Sequence, residues 1–233
     1  VPGRRAPTAV VLTALLSALV AGAAMTGSAL LRDRPSARTP ATETPPNSAA
    51  SIGVSGCHRA PCQVLATATV GGTVIDLVAD AGAASGRLRI GGPSASLVIE
   101  TTITELGATL THDSLQCHPA SISACLIRGD TDEGATGQVV VGRSGKWSPL
   151  ARAFYSRAGH LALVDIVNDQ APEVLAVQPD CPADTDCAKR PVYAQVFELS
   201  GEEVGCSRTY SRIDQLPGYP EVDFTAAQLR PCS

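Results

Sequence analysis

Three carboxylates recur at every fourth position in one stretch: Asp165, Asp169 and Glu173. They stand between two apolar runs, Leu161-Ala162-Leu163-Val164 and Val174-Leu175-Ala176-Val177. Oxygen donors on a strand-to-strand loop are the chemistry of a calcium site, which takes about 6–8 oxygens. One reading is therefore a calcium loop with Asp165, Asp169 and Glu173 as ligands. The plainer reading is a solvated acidic turn with Asn168-Asp169 as ordinary turn residues, because short acidic motifs recur without metal. A second acidic loop holds Asp130, Asp132 and Glu133 ahead of Gly134.

The eight cysteines, Cys57, Cys62, Cys117, Cys125, Cys181, Cys187, Cys206 and Cys232, offer a different chemistry. Cys57-His58 and Cys117-His118, with Cys62 and Cys125, would give zinc thiolate and imidazole ligands. Their spacings suit a zinc finger poorly, and an even count behind an export segment fits disulfides. Eight cysteines allow 105 connectivities, which sequence alone does not choose between; the pairing favoured is sequential: Cys57–Cys62, Cys117–Cys125, Cys181–Cys187 and Cys206–Cys232. The first three close short loops, which remove little unfolded-state entropy and mainly fix loop shape. The fourth ties the C-terminal tail to the domain. His112 and His160 stand alone at strand ends, where structural roles are expected.

Nucleophile and cofactor signatures are missing from the sequence. There is no Gly-x-Ser-x-Gly, and Gly142-Arg143-Ser144-Gly145 reads as a turn. Neither a phosphate-binding loop nor a dinucleotide fingerprint occurs. With all eight cysteines paired, no thiol remains as a nucleophile. No catalytic residue and no cofactor-binding residue is assigned; with zinc set below disulfides, calcium is the one metal left open.

The elements that must position these residues begin with an uncharged apolar run, Ala9 to Leu31, preceded by Arg4-Arg5 and closed by Arg32-Asp33-Arg34. A bilayer core needs about 20 apolar helical residues. Residues 1–31 read as a single transmembrane anchor helix or as a secretory signal cut near Ala21-Gly22-Ala23 or Gly27-Ser28-Ala29. Residues 32–55, with Pro35, Pro40, Pro45 and Pro46 among Ser, Thr and Ala, read as a disordered linker. Residues 56–233 read as an extracytoplasmic β-rich domain.

That domain reads as all-β. Gln63–Val70 and Thr73–Ala79 flank Gly71-Gly72, a tight hairpin signal. Strands are also expected at Leu88–Ile90, Leu97–Ile103, Thr109–His112, Ala124–Arg128, Gly137–Gly142, His160–Asp165, Glu173–Val177, Val192–Leu199 and Glu202–Cys206. Ser144–Arg157 is the least strand-like stretch, expected as a loop or short helical turn, and a short helix is expected at Thr225–Leu229. Short strands with Gly and Pro punctuation indicate a sandwich or a propeller-like stack. Every aromatic residue lies at or beyond Trp147, so the first half must pack Val, Ile, Leu and Ala.

The run Leu161–Val177, followed by Val192-Tyr193 and Val196-Phe197 and the Ser200-Gly201 turn, resembles one unit of the FG-GAP/VCBS-type propeller repeat family. The resemblance covers about residues 159–205. It implies a propeller blade serving adhesion or ligand binding, with an acidic loop that binds calcium. Val167 and Gln170 stand where that family places an Asp or Asn and a Gly.

Net charge is −4 at pH 7 with neutral histidines, so no basic face for nucleic acid is expected. Lys146 and Lys189 are the only lysines, a bias of GC-rich bacterial genomes such as those of actinobacteria. The expected function is a binding or interaction module of the bacterial cell envelope, its partner an envelope ligand or protein. It is held in the cell membrane by the N-terminal helix or secreted after signal cleavage. The alternative is an exported hydrolase that acts on envelope polymers through a carboxylate site.

Overall fold

Tight turns and alternating apolar residues build three antiparallel meanders in a computed structural model, which describes residues 57–94, 97–181, 187 and 190–232. The expected N-terminal helix and linker lie outside the described residues. No helix among the described residues is long and apolar enough to cross a membrane.

The first sheet runs β1 (Gln63–Val70), β2 (Thr73–Ala79), β3 (Gly86–Ile90) and β4 (Leu97–Glu100), in that spatial order. Gly71 and Gly72 join β1 to β2 with φ of 54° and 80°, and Val70 pairs directly with Thr73. Both central positions of this two-residue turn need positive φ, which glycine adopts without a Cβ clash. The register sets Leu77 opposite Leu88, and Leu88 opposite Ile99, on one face. The other face sets Asp76 opposite Arg89 and Val78 opposite Arg87.

The second sheet runs β5 (Leu115–His118), β6 (Ser123–Thr131), β7 (Gly134–Arg143) and β8 (Lys146–Ser156). The third runs β9 (Leu161–Val164), β10 (Glu173–Pro179), β11 (Val192–Phe197) and β12 (Glu203–Cys206). β1 lies beside β5, and β5 beside β9, so the first strands of the three sheets are neighbours.

The sheets bury their faces on one another. Ile75, Leu77, Leu88 and Ile99 of the first sheet pack on Cys125, Ile127 and Val140 of the second. The opposite face of the second sheet, with Leu126, Val139 and Phe154, packs on Leu161, Leu163, Val174 and Ala176 of the third. A middle sheet covered on both sides has no polar face, which is why Ala124-Cys125-Leu126-Ile127 is uninterrupted. The outer face of the third sheet, with Leu175, Val177 and Val196, is covered by Leu216, Val222 and Phe224 of the C-terminal segment. Four bridges join Cys57 to Cys62, Cys117 to Cys125, Cys181 to Cys187 and Cys206 to Cys232, sequential along the chain as their spacing predicts.

Several elements differ from expectation. Ser144–Arg157 contains the longest strand, β8, with eleven residues. Pro149 disguised it, yet β8 is an edge strand, where a residue without an N–H is tolerated. Thr109–His112 is not a strand but contributes one isolated bridge from Thr109 to Asp130. The neighbouring strand is β5, too short and polar to announce itself, and it is held to β6 by the cross-strand Cys117–Cys125 pair. The second acidic loop shrinks to Asp132-Glu133, because β6 and β7 continue to Thr131 and Gly134. The expected C-terminal helix is a single 3-10 turn, Ala226–Gln228, with a Thr225/Gln228 capping box.

Candidate functional site

Neither β5 nor β9 extends the other's sheet, yet the two edges are stitched by one side chain. Gln116 Nε2 donates to the Leu163 carbonyl at 3.1 Å, and Gln116 Oε1 accepts from the Leu163 N–H at 2.9 Å. The amide thus stands in for a strand's backbone. From β6, the Arg128 Nη1 donates to the Leu161 carbonyl. These contacts floor a cleft of about 750 Å3.

Segments distant in sequence wall this cleft. His112 and Asp113 come from the turn before β5, His118 from the end of β5, and His160 and Asp165 from the two ends of β9. Glu221 and Asp223 come from the C-terminal segment. Three of the four histidines in the chain therefore face one concavity. Four carboxylates, Asp113, Asp165, Glu221 and Asp223, are exposed around its rim. The His112 Nε2 lies 3.1 Å from Asp113 Oδ2, with both side chains largely in water.

The inner end differs. Arg128 and His160 are half-buried. The His160 backbone N–H donates to Ser156 Oγ at 2.9 Å, and its ring lies 5.8 Å from that of Tyr219. Its Nε2 is enclosed and has no hydrogen-bond partner. Burial, reinforced by the Arg128 charge, holds the His160 imidazole below its ordinary pKa. The floor therefore presents a neutral imidazole and one guanidinium beneath an acidic rim.

The acidic loop read as a calcium site uses its oxygens locally. Asp165 Oδ1 accepts the Asn168 N–H at 3.0 Å, and Asp169 Oδ1 accepts the Ala171 N–H at 2.8 Å. Glu173 Oε2 accepts the N–H groups of Ile166 at 2.7 Å and Val167 at 3.4 Å. Burial raises the pKa of Glu173, and the charges of Asp169 and Asp165 raise it further, against those backbone bonds. Asn168 closes the turn at φ 58°, in the left-handed region that Asn tolerates. The donor atoms of Asp165, Asp169 and Glu173 do not gather within 4.8 Å of one another. Among the described residues, the sets that do are Cys57, Cys62 and Asp80, and Glu203, Cys206 and Cys232. The sulfurs of both sets are in disulfides and are not thiolate ligands.

A larger concavity, about 1000 Å3, lies elsewhere, with Arg157, Arg190, Arg212, Asp132 and Glu133 in its wall. Both signs of charge line it, and Arg212 is already paired with Asp214 through two bonds of 3.0 and 3.1 Å. The smaller cleft has its charges sorted by depth, with exposed carboxylates around half-buried Arg128 and His160.

Of the histidines expected to be structural, His112 and His160 line this cleft, as does His118, expected beside a bridge. Asp165 joins them from the acidic loop, while Asp169 and Glu173 face away into another depression. Sequence reasoning missed Gln116, Arg128, Glu221 and Asp223. Arg128, the last residue of the expected strand Ala124–Arg128, lies inside β6. Nothing in the spacing of positions 116, 128, 160 and 221 links them. No family model, curated protein or solved structure matches the chain.

Proposed function

We propose that the chain is an extracytoplasmic binding module of the bacterial cell envelope, working through the cleft between β5, β9 and the C-terminal segment. The observation that carries this reading is the convergence of His112, His118, His160, Arg128 and four carboxylates from distant segments on one concavity. A few convergent polar groups in a concave site of some hundreds of Å3 are what a ligand pocket requires. Four disulfides support an oxidising compartment outside the cytoplasm. The N-terminal apolar run is the export element, as an anchor or a cleaved signal.

The three meanders with adjacent first strands fit a propeller-like stack better than a two-sheet sandwich. The third meander spans Leu161 to Cys206, the stretch that resembles an FG-GAP/VCBS unit. In such a stack the cleft lies along the line of first strands, where neighbouring sheets converge. A hydrolase would need a pair of carboxylates tuned apart. Glu173 is the carboxylate pushed upward, and its Oε2 is committed to two backbone N–H groups.

Co-sedimentation of the full chain with purified insoluble bacterial wall tests the reading. Retention is expected, reduced at least about tenfold by His118→Ala with Asp223→Asn, since each lost polar contact weakens binding by about that factor. Equal retention of the variant, or none of either protein, overturns it.

A further inference from the structure

The cleft is sorted by charge in a way that specifies a class of ligand. Its depth holds one guanidinium, Arg128, which makes no ion pair among the described residues: its contact there is the single bond from Nη1 to the Leu161 carbonyl. A guanidinium has five donors, so four remain. The nearest imidazole, His160, adds no second positive charge at the floor. The rim carries Asp113, Asp165, Glu221 and Asp223, all exposed, with no lysine or arginine between them. Only Asp113 has a side-chain partner there, the imidazole of His112, while Asp165 also holds the Asn168 N–H. Resting on the binding-module reading, we propose that this cleft takes a short peptide with free termini, its carboxylate on Arg128 and its ammonium at the acidic rim, which Asp165, Glu221 and Asp223 line.

Each half follows from its own group. A carboxylate is matched by a planar fork of N–H donors in two parallel bonds, the geometry an arginine supplies best. An ammonium is a strongly hydrated point charge with rotatable donors, suited to a wet rim of carboxylates rather than a dry floor. A single anion would meet repulsion at the rim, and a single cation would meet Arg128 at the floor. A cleft of about 750 Å3 exceeds one amino acid and suits a few residues of extended peptide.

Calorimetry on the full chain with trialanine, N-acetyl-trialanine and trialanine amide tests the assignment, with backbone and imidazole NMR shifts locating the site. Free trialanine is expected to bind with Kd of about 1 mM or tighter. Either block should weaken it at least about tenfold, the ordinary effect of losing one charge-assisted contact. Arg128→Gln should erase the difference between the free acid and the amide while keeping the penalty for acetylation. Glu221→Gln with Asp223→Asn, at exposed positions that leave the fold intact, should do the reverse. That second variant carries the test if Arg128→Gln fails to fold. Equal binding of free and blocked peptides, or no shift at His118, His160 and Asp165 with about 10 mM trialanine, overturns the peptide assignment. If retention on wall material stays sensitive to His118→Ala with Asp223→Asn while trialanine does not bind, the peptide falls and the binding module stands. If neither binds, both fall.

Discussion

Asp80 shows how much one side chain can organise. Its Oδ1 accepts the backbone N–H groups of His58 at 3.1 Å and Arg59 at 3.3 Å, which the Cys57–Cys62 bridge holds in place. Its Oδ2 accepts from the Ser85 hydroxyl and from Arg87 Nη2. Burial opposes the charge, but these donors outweigh it and lower the pKa from 3.8 to about 2. A carboxyl with a depressed folded pKa gives stability that is full above its unfolded value and lost as pH falls through the folded one. Asp80→Asn takes the close partner from the fully buried Arg87, leaving the longer 3.4 Å contact from its Nε to the half-exposed Glu100, and should cost about 3 kcal/mol at pH 7. The gap between wild type and variant should narrow between pH 5 and pH 2 in denaturant titrations. His160 works in the opposite sense. Its depressed pKa means that the unfolded chain binds more protons, so stability rises with pH around the ordinary histidine range. His160→Gln should flatten that slope, and a variant that keeps the wild-type slope would assign it elsewhere.

At the scale of elements, the join between β5 and β9 rests on an amide rather than a ladder. Gln116→Ala strands the N–H and carbonyl of Leu163 and should cost about 1–3 kcal/mol. Faster amide exchange at Leu163, with protection unchanged in β2 and β3, is the local readout; a uniform change across all three sheets would refute the stitching role. β8 teaches a related lesson. Its Pro149 and irregular alternation hid an eleven-residue strand, because an edge needs only half its hydrogen-bonding groups satisfied by a neighbour. Across that hairpin, the ring of Trp147 lies on Gly142, so close that a Cβ there would meet ring atoms at 2.7 Å. β1 and β2, by contrast, were legible to the residue, since Gly71-Gly72 marks the turn and sets the register from Val70 back to Ala66, where a bulge shifts it.

For the whole molecule, the C-terminal segment is both a cover and a wall. Leu216, Val222 and Phe224 close the outer face of the third sheet, while Glu221 and Asp223, alternating with them, face the cleft. The Cys206–Cys232 bridge, 26 residues apart, holds the segment down. Replacing both cysteines by serine should cost about 3–4 kcal/mol by loop entropy and weaken wall binding in parallel. A loss of stability with wall binding intact would detach the segment from the proposed site.

The sequence alone determined the all-β class and most strand centres, and it favoured the sequential pairing of the cysteines that the structure then decided. These depend on local signals: alternation of apolar residues, turn glycines with positive φ, and short loops between cysteines. Only the tertiary structure decided that Gln116, Arg128, His160 and Asp223 share one cleft. Their meeting depends on how three sheets stack and where a tail returns, and side chains far apart in the chain leave no periodic mark of that contact. The acidic spacing of Asp165, Asp169 and Glu173 was visible from the start. The fold then turned those oxygens onto their own backbone and left Asp165 to line the wall.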